Sequence, residues 1–384
     1  MIFLFSFDII NSCEVFELKN KELLKKLLII LGAIVGVVII AFIVILIYRK
    51  SNSSLGYEKI KKEMITASEN YYSNLKENLN SGESISITDK ELIKKGYLKD
   101  YSGKLKDGVK CTGKVTIYNN FDNMLYIPNL DCGNAYKDVT LSEQIISDNE
   151  NNGSNGGLFD LYGKKVFRGE NVNNYLTFAG KSWTILSINE DGSIRMILNE
   201  KTGDATAWDD RYNSETGDYA GFNNYETSRI KESIDYISSS DILLNDEQKA
   251  YLKPHDICFG TRSIHETNLD YNVECSNKIN NQMFNLLQIN EYLIPSLDSS
   301  CSLYNNLECT NYNYIYDRFS SVFMWTTTIN SGSSYYAYVI NGLPDVYRTN
   351  TKAYLFVVAE LSPEVVYLSG DGTYENPYTI EKIG

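Results

Sequence analysis

The longest apolar run in the chain is "LLIILGAIVGVVIIAFIVILIY", Leu27 to Tyr48, 22 residues without a charge. At about 1.5 Å per residue such a run spans roughly 33 Å as a helix, enough to cross a bilayer core. It is too long for a signal-peptide core, and "YRKSNSS" follows it instead of a small-residue cleavage pattern. The pattern predicts a retained transmembrane helix over 27–48 behind a cytoplasmic segment, 1–26. After it, Tyr57, Ile60, Met64, Ala67, Tyr71 and Leu75 recur in steps of three and four, the stripe of an amphipathic helix. "TDKE", Thr88 to Glu91, has capping-box spacing and opens a short helix that Gly96 ends. "CTGKVTIYNNFDNMLYIPNLDC" reads as two strands turning near Phe121 and Asp122, which sets Cys111 opposite Cys132.

Polarity then rises. "SDNENNGSNGG" has almost no apolar residue and reads as a flexible linker, 147–157, between a stalk domain, 49–146, and a distal domain, 158–384. In the distal domain "YLTFAGKSWTILSINEDGSIRMIL" carries strand-like runs, with "EDG" as a tight turn. Ile230, Ile234 and Ile237 make one helix face, and "NDEQ", Asn245 to Gln248, caps another helix. "VFMWTTTI", "YYAYVI" and "AYLFVVAEL" read as buried strands, and "LSGDGTYENPYTI" as a turn between two short ones. The predicted class is α+β.

Composition changes this picture in three ways. With 384 residues, 43% of them apolar, the chain can build two or three cores. A net charge of -13 excludes a phosphate-binding surface, and with it nucleic acid as a partner. The 30 tyrosines, with frequent Asn, Ser and Gly, suit an adaptable binding surface as well as an A- and T-rich codon bias. Cysteine then bears on the compartment. Cys13 precedes the apolar run, and the other six follow in close pairs: Cys111 with Cys132, Cys258 with Cys275, Cys301 with Cys309. Pairs of this kind suit disulfides outside the cytoplasm, although six cysteines allow fifteen connectivities. None of the spacings is CxxC, which argues against zinc. Gly32 and Gly36 form a GxxxG pair through which two membrane helices could dimerise.

Candidate chemistry gathers in "WDDRYNSETGDY", Trp208 to Tyr219. An aromatic ring beside carboxylates and amides is what a sugar needs, and Trp208, Asp209, Asp210, Arg211 and Asn213 form the candidate ligand-binding set for a glycan or protein. An equally physical reading anchors the loop by Trp208 and braces it by Asp210 and Arg211. The EF-hand pattern fails, because counting from Asp209 places Arg211 at position 3 and Ser214 at position 6. A looser calcium site from Asp209, Asp210 and Glu215 is the remaining metal reading, and no other cofactor is expected. Acid–base work by Asp209 and Glu215 would make a glycan-cleaving envelope enzyme. His255 and His265 flank Cys258, but a disulfide at Cys258 forbids a Cys–His nucleophile. No GxSxG, HExxH or P-loop pattern occurs, and no residue is assigned a catalytic role.

Two resemblances add to this. Residues 27 to 135 resemble a type IV pilin in layout, without its processing signature, which implies a pilin-like stalk or structural envelope component. "SWTILSINEDGSIRMIL", "WDDRYN", "LLQINEYLIPSLDSSC", "MWTTT" and "GDGTYENPYTI", in that order, resemble an uncharacterised surface-protein domain of low-GC Gram-positive and mollicute-like bacteria. That domain is similar to a divergent C-type-lectin-like fold, a superfamily that includes formylglycine-generating enzymes. The strands from 322 to 361 hold no Cys, so the resemblance implies the fold without that activity. The expectation is a membrane-anchored, extracellular, noncatalytic adhesion module.

Overall fold

The computed structural model describes residues 56–380, apart from 76–77, 81–82, 103, 106–108, 121–122, 150–155 and 303–312. The predicted membrane span, Leu27 to Tyr48, the GxxxG pair within it and the membrane as a partner lie outside the described residues. So do most of the predicted linker, the turn at Phe121 and Asp122, and Cys309. The chain forms two compact units, residues 1–62 with 101–110, and residues 63–100 with 111–384. In the first, the described residues 56–62 are helical. The second carries everything that follows.

The smaller part of the second unit is a three-stranded antiparallel sheet of Ser84–Thr88, Thr112–Asn120 and Asn123–Asp131. The Thr88 hydroxyl accepts the Glu91 N–H and caps Asp89–Lys94, as the sequence predicts. Thr112 pairs with Asp131, so the flanking Cys111 and Cys132 meet at the open end and form a disulfide. Met64 packs closely over Gly113, where a Cβ would stand 2.6 Å from its Cε and the methionine tip would have to shift. The helix Leu141–Asn149 then seats Leu141 and Ile145 in the large hydrophobic core, and the Leu141 N–H donates to Val365 O.

That core lies on a nine-stranded sheet whose main path runs Asn285–Leu286, Val357–Leu361, Ile194–Leu198, Lys181–Ile188, Tyr175–Phe178, Tyr378–Ile380 and Tyr367–Ser369. The continuous apolar runs "KSWTILSI" and "IRMIL" form its centre, where both faces are covered. A four-stranded sheet, Thr261–Arg262, Phe323–Asn330, Tyr336–Asn341 and Leu343–Arg348, holds the remaining long strands. Trp183, Trp208 and Trp325 are all buried, and the Trp208 and Trp325 rings meet edge to face at 5.7 Å.

This architecture corrects the predicted fold class. The expectation was α+β, with an N-terminal transmembrane helix, a pilin-like stalk and a C-type-lectin-like distal domain. Strand instead outweighs helix, 35% to 23%, and among the described residues no helix is long and apolar enough to cross a membrane. The strands that shift the balance are the polar ones. "NKINNQ", Asn277–Gln282, is mostly exposed and pairs along His255–Phe259, and "LPDVYR", Leu343–Arg348, forms the edge of the four-stranded sheet. Their ladders are made by backbone groups, so neither shows the clean alternation by which a strand is read from sequence.

Removing the clip tests the small sheet. For a loop of about twenty residues, loss of a disulfide costs about 3 kcal/mol in the chain-entropy account. The double variant Cys111→Ser, Cys132→Ser is expected to lose about that much in urea denaturation followed by circular dichroism.

Candidate functional site

The stretch Trp208 to Tyr219 is organised from within. Trp208 follows a short strand, Thr206–Ala207, and its carbonyl accepts the Ile230 N–H, so strand and helix are joined beside one indole. The Asp209 side chain is wholly buried. Its Oδ1 accepts from Arg211 Nε at 2.7 Å and its Oδ2 from the Phe222 N–H at 3.0 Å. Arg211 donates again to the Thr227 carbonyl. Buried Asn213 spends its amide on the loop too, donating to Gly221 O at 2.6 Å and accepting from the Glu215 N–H at 2.8 Å. The loop closes only because Gly221 takes φ +73°, where a Cβ would overlap the Asp209 carbonyl at 2.0 Å.

The five predicted ligand residues are therefore brought together but divided in role. Trp208, Asp209 and Asn213 face inward and hold the loop, Arg211 braces it, and of the five only Asp210 is exposed. The carboxylates proposed for calcium are spent elsewhere: Asp209 on Arg211, Asp210 on Arg229 and Glu215 on the Ser334 hydroxyl. Among the described residues no three His, Cys, Asp or Glu side chains converge as a metal site would need.

Asp210 opens onto a groove of about 560 Å³. Its floor is the strand Thr206–Ala207 with Leu355, fixed from below by Trp325, whose indole N–H donates to Thr206 O at 2.9 Å. Its wall is the helix Arg229–Ser239, capped by the Ser228 hydroxyl accepting the Lys231 N–H. Ile230, Ile234 and Ile237 bury one stripe of that helix. The neighbouring stripe, Arg229, Glu232, Ser233 and Tyr236 at helical spacing, lines the groove together with Ile237. Arg229 bridges two carboxylates, Asp210 at 3.4 Å and Glu232 at 3.0 Å. Tyr236 is 62% exposed and Ile242 60%, large apolar surfaces left to water on the groove's rim.

Apart from Asp210, these residues escaped the sequence reading. The signal for them was present: once Ile230, Ile234 and Ile237 define the inward face, Arg229, Glu232 and Tyr236 are the residues left facing out.

A second charged cluster is interior. Arg195 on Ile194–Leu198 forms a two-point pair with Glu291, faces Glu360 at 3.6 Å and stands 3.4 Å from His255 Nε2. Burial works against both carboxylates, yet Arg195 beside Glu291, and His255 with Arg195 beside Glu360, hold them below the usual range. Burial pushes the His255 imidazole down. Nearby, Arg262 and Glu274 form a fully buried pair, and Glu274 also accepts the Ile289 and Asn290 N–H groups at a helix start. Burial nonetheless raises Glu274. Cys258 and Cys275 are bonded to each other, which removes Cys258 as a nucleophile, and Cys301 is disulfide-bonded as well. These groups pair with one another, and the cluster acts as structure.

No family model matches the chain, and no curated protein or solved structure is significantly similar to it.

Two outcomes separate the roles of these residues. Asp209→Ala leaves the Arg211 guanidinium and the half-buried Phe222 N–H without their acceptor and is expected to cost about 2 kcal/mol in chemical denaturation, whereas Asp210→Ala stays within about 0.5 kcal/mol of the parent. His255, held below its unfolded value of 6.5, contributes stability above that pH that is lost as pH falls through its folded value. Melting temperature is expected to drop between pH 7.5 and 5.5 more in the parent than in His255→Gln. Glu274, raised by burial, has the opposite sign and is common to both proteins, so it cancels from the comparison.

Proposed function

We propose that this protein is a noncatalytic recognition module that works outside the cytoplasm and binds a glycan in the groove between Thr206–Ala207 and the helix Arg229–Ser239. The observation that carries this reading is Tyr236. A ring left mostly in water at the rim of a groove, among carboxylates, hydroxyls and a guanidinium, offers a sugar a stacking face and partners for its hydroxyls. The disulfides support a site of action in an oxidising compartment.

Binding is favoured over glycan cleavage by the state of the carboxylates. A general acid needs a desolvated carboxyl held neutral near pH 7. Asp210 and Glu232 are 61% and 57% exposed and share the Arg229 guanidinium, so neither is a desolvated carboxyl. The buried carboxylates Glu291 and Glu274 lie on internal guanidinium groups and are not among the residues that line this groove. The backbone beneath the groove is fixed by Trp325 and Asp209, so a ligand meets a preformed surface.

The test is a glycan array probed with the whole chain, followed by titration of the best oligosaccharide. Tyr236→Ala is expected to weaken binding about tenfold, about 1.4 kcal/mol, with the melting temperature unchanged. Binding that survives Tyr236→Ala at full strength, or a well-folded protein that binds no glycan, contradicts the reading.

A further inference from the structure

The loop that supplies Asp210 to the groove continues outward as an aromatic surface. Tyr212, two residues on, is 55% exposed, and Tyr219 at the loop's end is 69% exposed. Their rings meet edge to face at 5.7 Å, a contact that covers one ring face and leaves the others open. Exposure alternates through this stretch, with Asp209 and Asn213 buried and Asp210 and Tyr212 turned out. Among the described residues seven large apolar side chains are exposed, and four of them are Tyr212, Tyr219, Tyr236 and Ile242. Exposed apolar surface is thus concentrated on the groove rim and on the loop that feeds it.

The two rings stand on fixed backbone. The Asn213 N–H donates to Asp218 O at 2.8 Å and closes the turn between them, and Asn350 Nδ2 donates to Tyr219 O at 3.0 Å. Asp218 pairs with Arg348 at 3.4 Å, and Glu215 accepts the Ser334 hydroxyl, which ties the loop to the four-stranded sheet and one of its turns. Aromatic rings with few torsions, held out on a backbone that need not reorganise, lose little freedom when a ligand covers them.

We infer that the binding surface extends from the groove past Asp210 onto the pair Tyr212 and Tyr219, and that its ligand is a linear glycan chain of several sugar units. This rests on the glycan reading above and deepens it. One sugar stacks on Tyr236, and units further along the chain lay their C–H faces on Tyr212 and Tyr219. From Tyr236 to Arg229 is about 10 Å along the helix, Arg229 holds Asp210, and Tyr212 lies at most about 7 Å further along the backbone. That path, on the order of 20 Å, is longer than one sugar ring can cover.

The experiment titrates the whole chain calorimetrically with the disaccharide, tetrasaccharide and hexasaccharide of three linear series: β-1,4-linked glucose, β-1,4-linked N-acetylglucosamine and α-1,6-linked glucose. In a series that binds, the hexasaccharide is expected to bind about tenfold tighter than the disaccharide. Tyr212→Ala and Tyr219→Ala are each expected to weaken the hexasaccharide about fivefold and leave the disaccharide unchanged, whereas Tyr212→Phe keeps the ring and the affinity. Tyr236→Ala weakens both lengths. A loop that only supports the groove would lose affinity equally at both lengths, and that result overturns the extended surface. So does an affinity that does not grow with length, or a hexasaccharide indifferent to both alanine variants; in each case the effect of Tyr236→Ala leaves the glycan reading standing. If no series binds, or if Tyr236→Ala has no effect on the one that does, the glycan reading falls and the extended surface with it.

Discussion

A single buried carboxylate holds the candidate site in place. Asp209 lies out of water between the end of a strand and the start of a helix, and it accepts from Arg211 on one oxygen and from the Phe222 amide on the other. A charge in that position is tolerable only while both donors stay. Keeping them requires the chain between 209 and 222 to double back, which Gly221 permits by its left-handed backbone and Asn213 secures by a bond to the Gly221 carbonyl. The consequence appears one residue along. Because Asp209 is locked inward, Asp210 is turned outward onto the groove.

The groove inherits its rigidity from the core under it. Trp208 and Trp325 pack against each other, and the Trp325 indole grips the floor strand from below. The helix wall is held by its isoleucine stripe, so its polar stripe presents Arg229, Glu232 and Tyr236 at fixed spacing. Elsewhere the fold commits charge to the interior. The Arg195 and Arg262 pairs tie strands to the helix Ile289–Leu293 and to the segment closed by the Cys258–Cys275 disulfide. Each guanidinium and carboxylate loses its hydration on burial, so such a pair is tolerated only while both partners stay. Fixed walls around an open groove are what the proposed binding surface requires.

How much of this was legible in the sequence depended on whether side chains or backbone made the structure. The Thr88 cap, the isoleucine helix and the apolar strands around Trp183 and Trp325 showed themselves because burial writes a period into the residues. The Cys111–Cys132 clip followed from symmetry about a hairpin. Polar edge strands such as Asn277–Gln282 left no such trace, and with them went the balance between strand and helix. At the site, the twelve residues from Trp208 drew notice for their carboxylates, yet composition does not reveal which of two adjacent aspartates is buried. Only packing distinguishes Asp209 from Asp210. Arg229, Glu232 and Tyr236 were hidden because they are near Asp210 in space and at least nineteen positions away in sequence.

The most direct measurement of the central claim is where a bound sugar lies. An oligosaccharide bearing a photoreactive diazirine, bound to the whole chain, irradiated and mapped by mass spectrometry, is predicted to label residues 202–207 and 229–242, with an excess of unlabelled oligosaccharide removing the signal. Labelling confined to another face of the molecule, or spread without competition across the surface, would contradict the account.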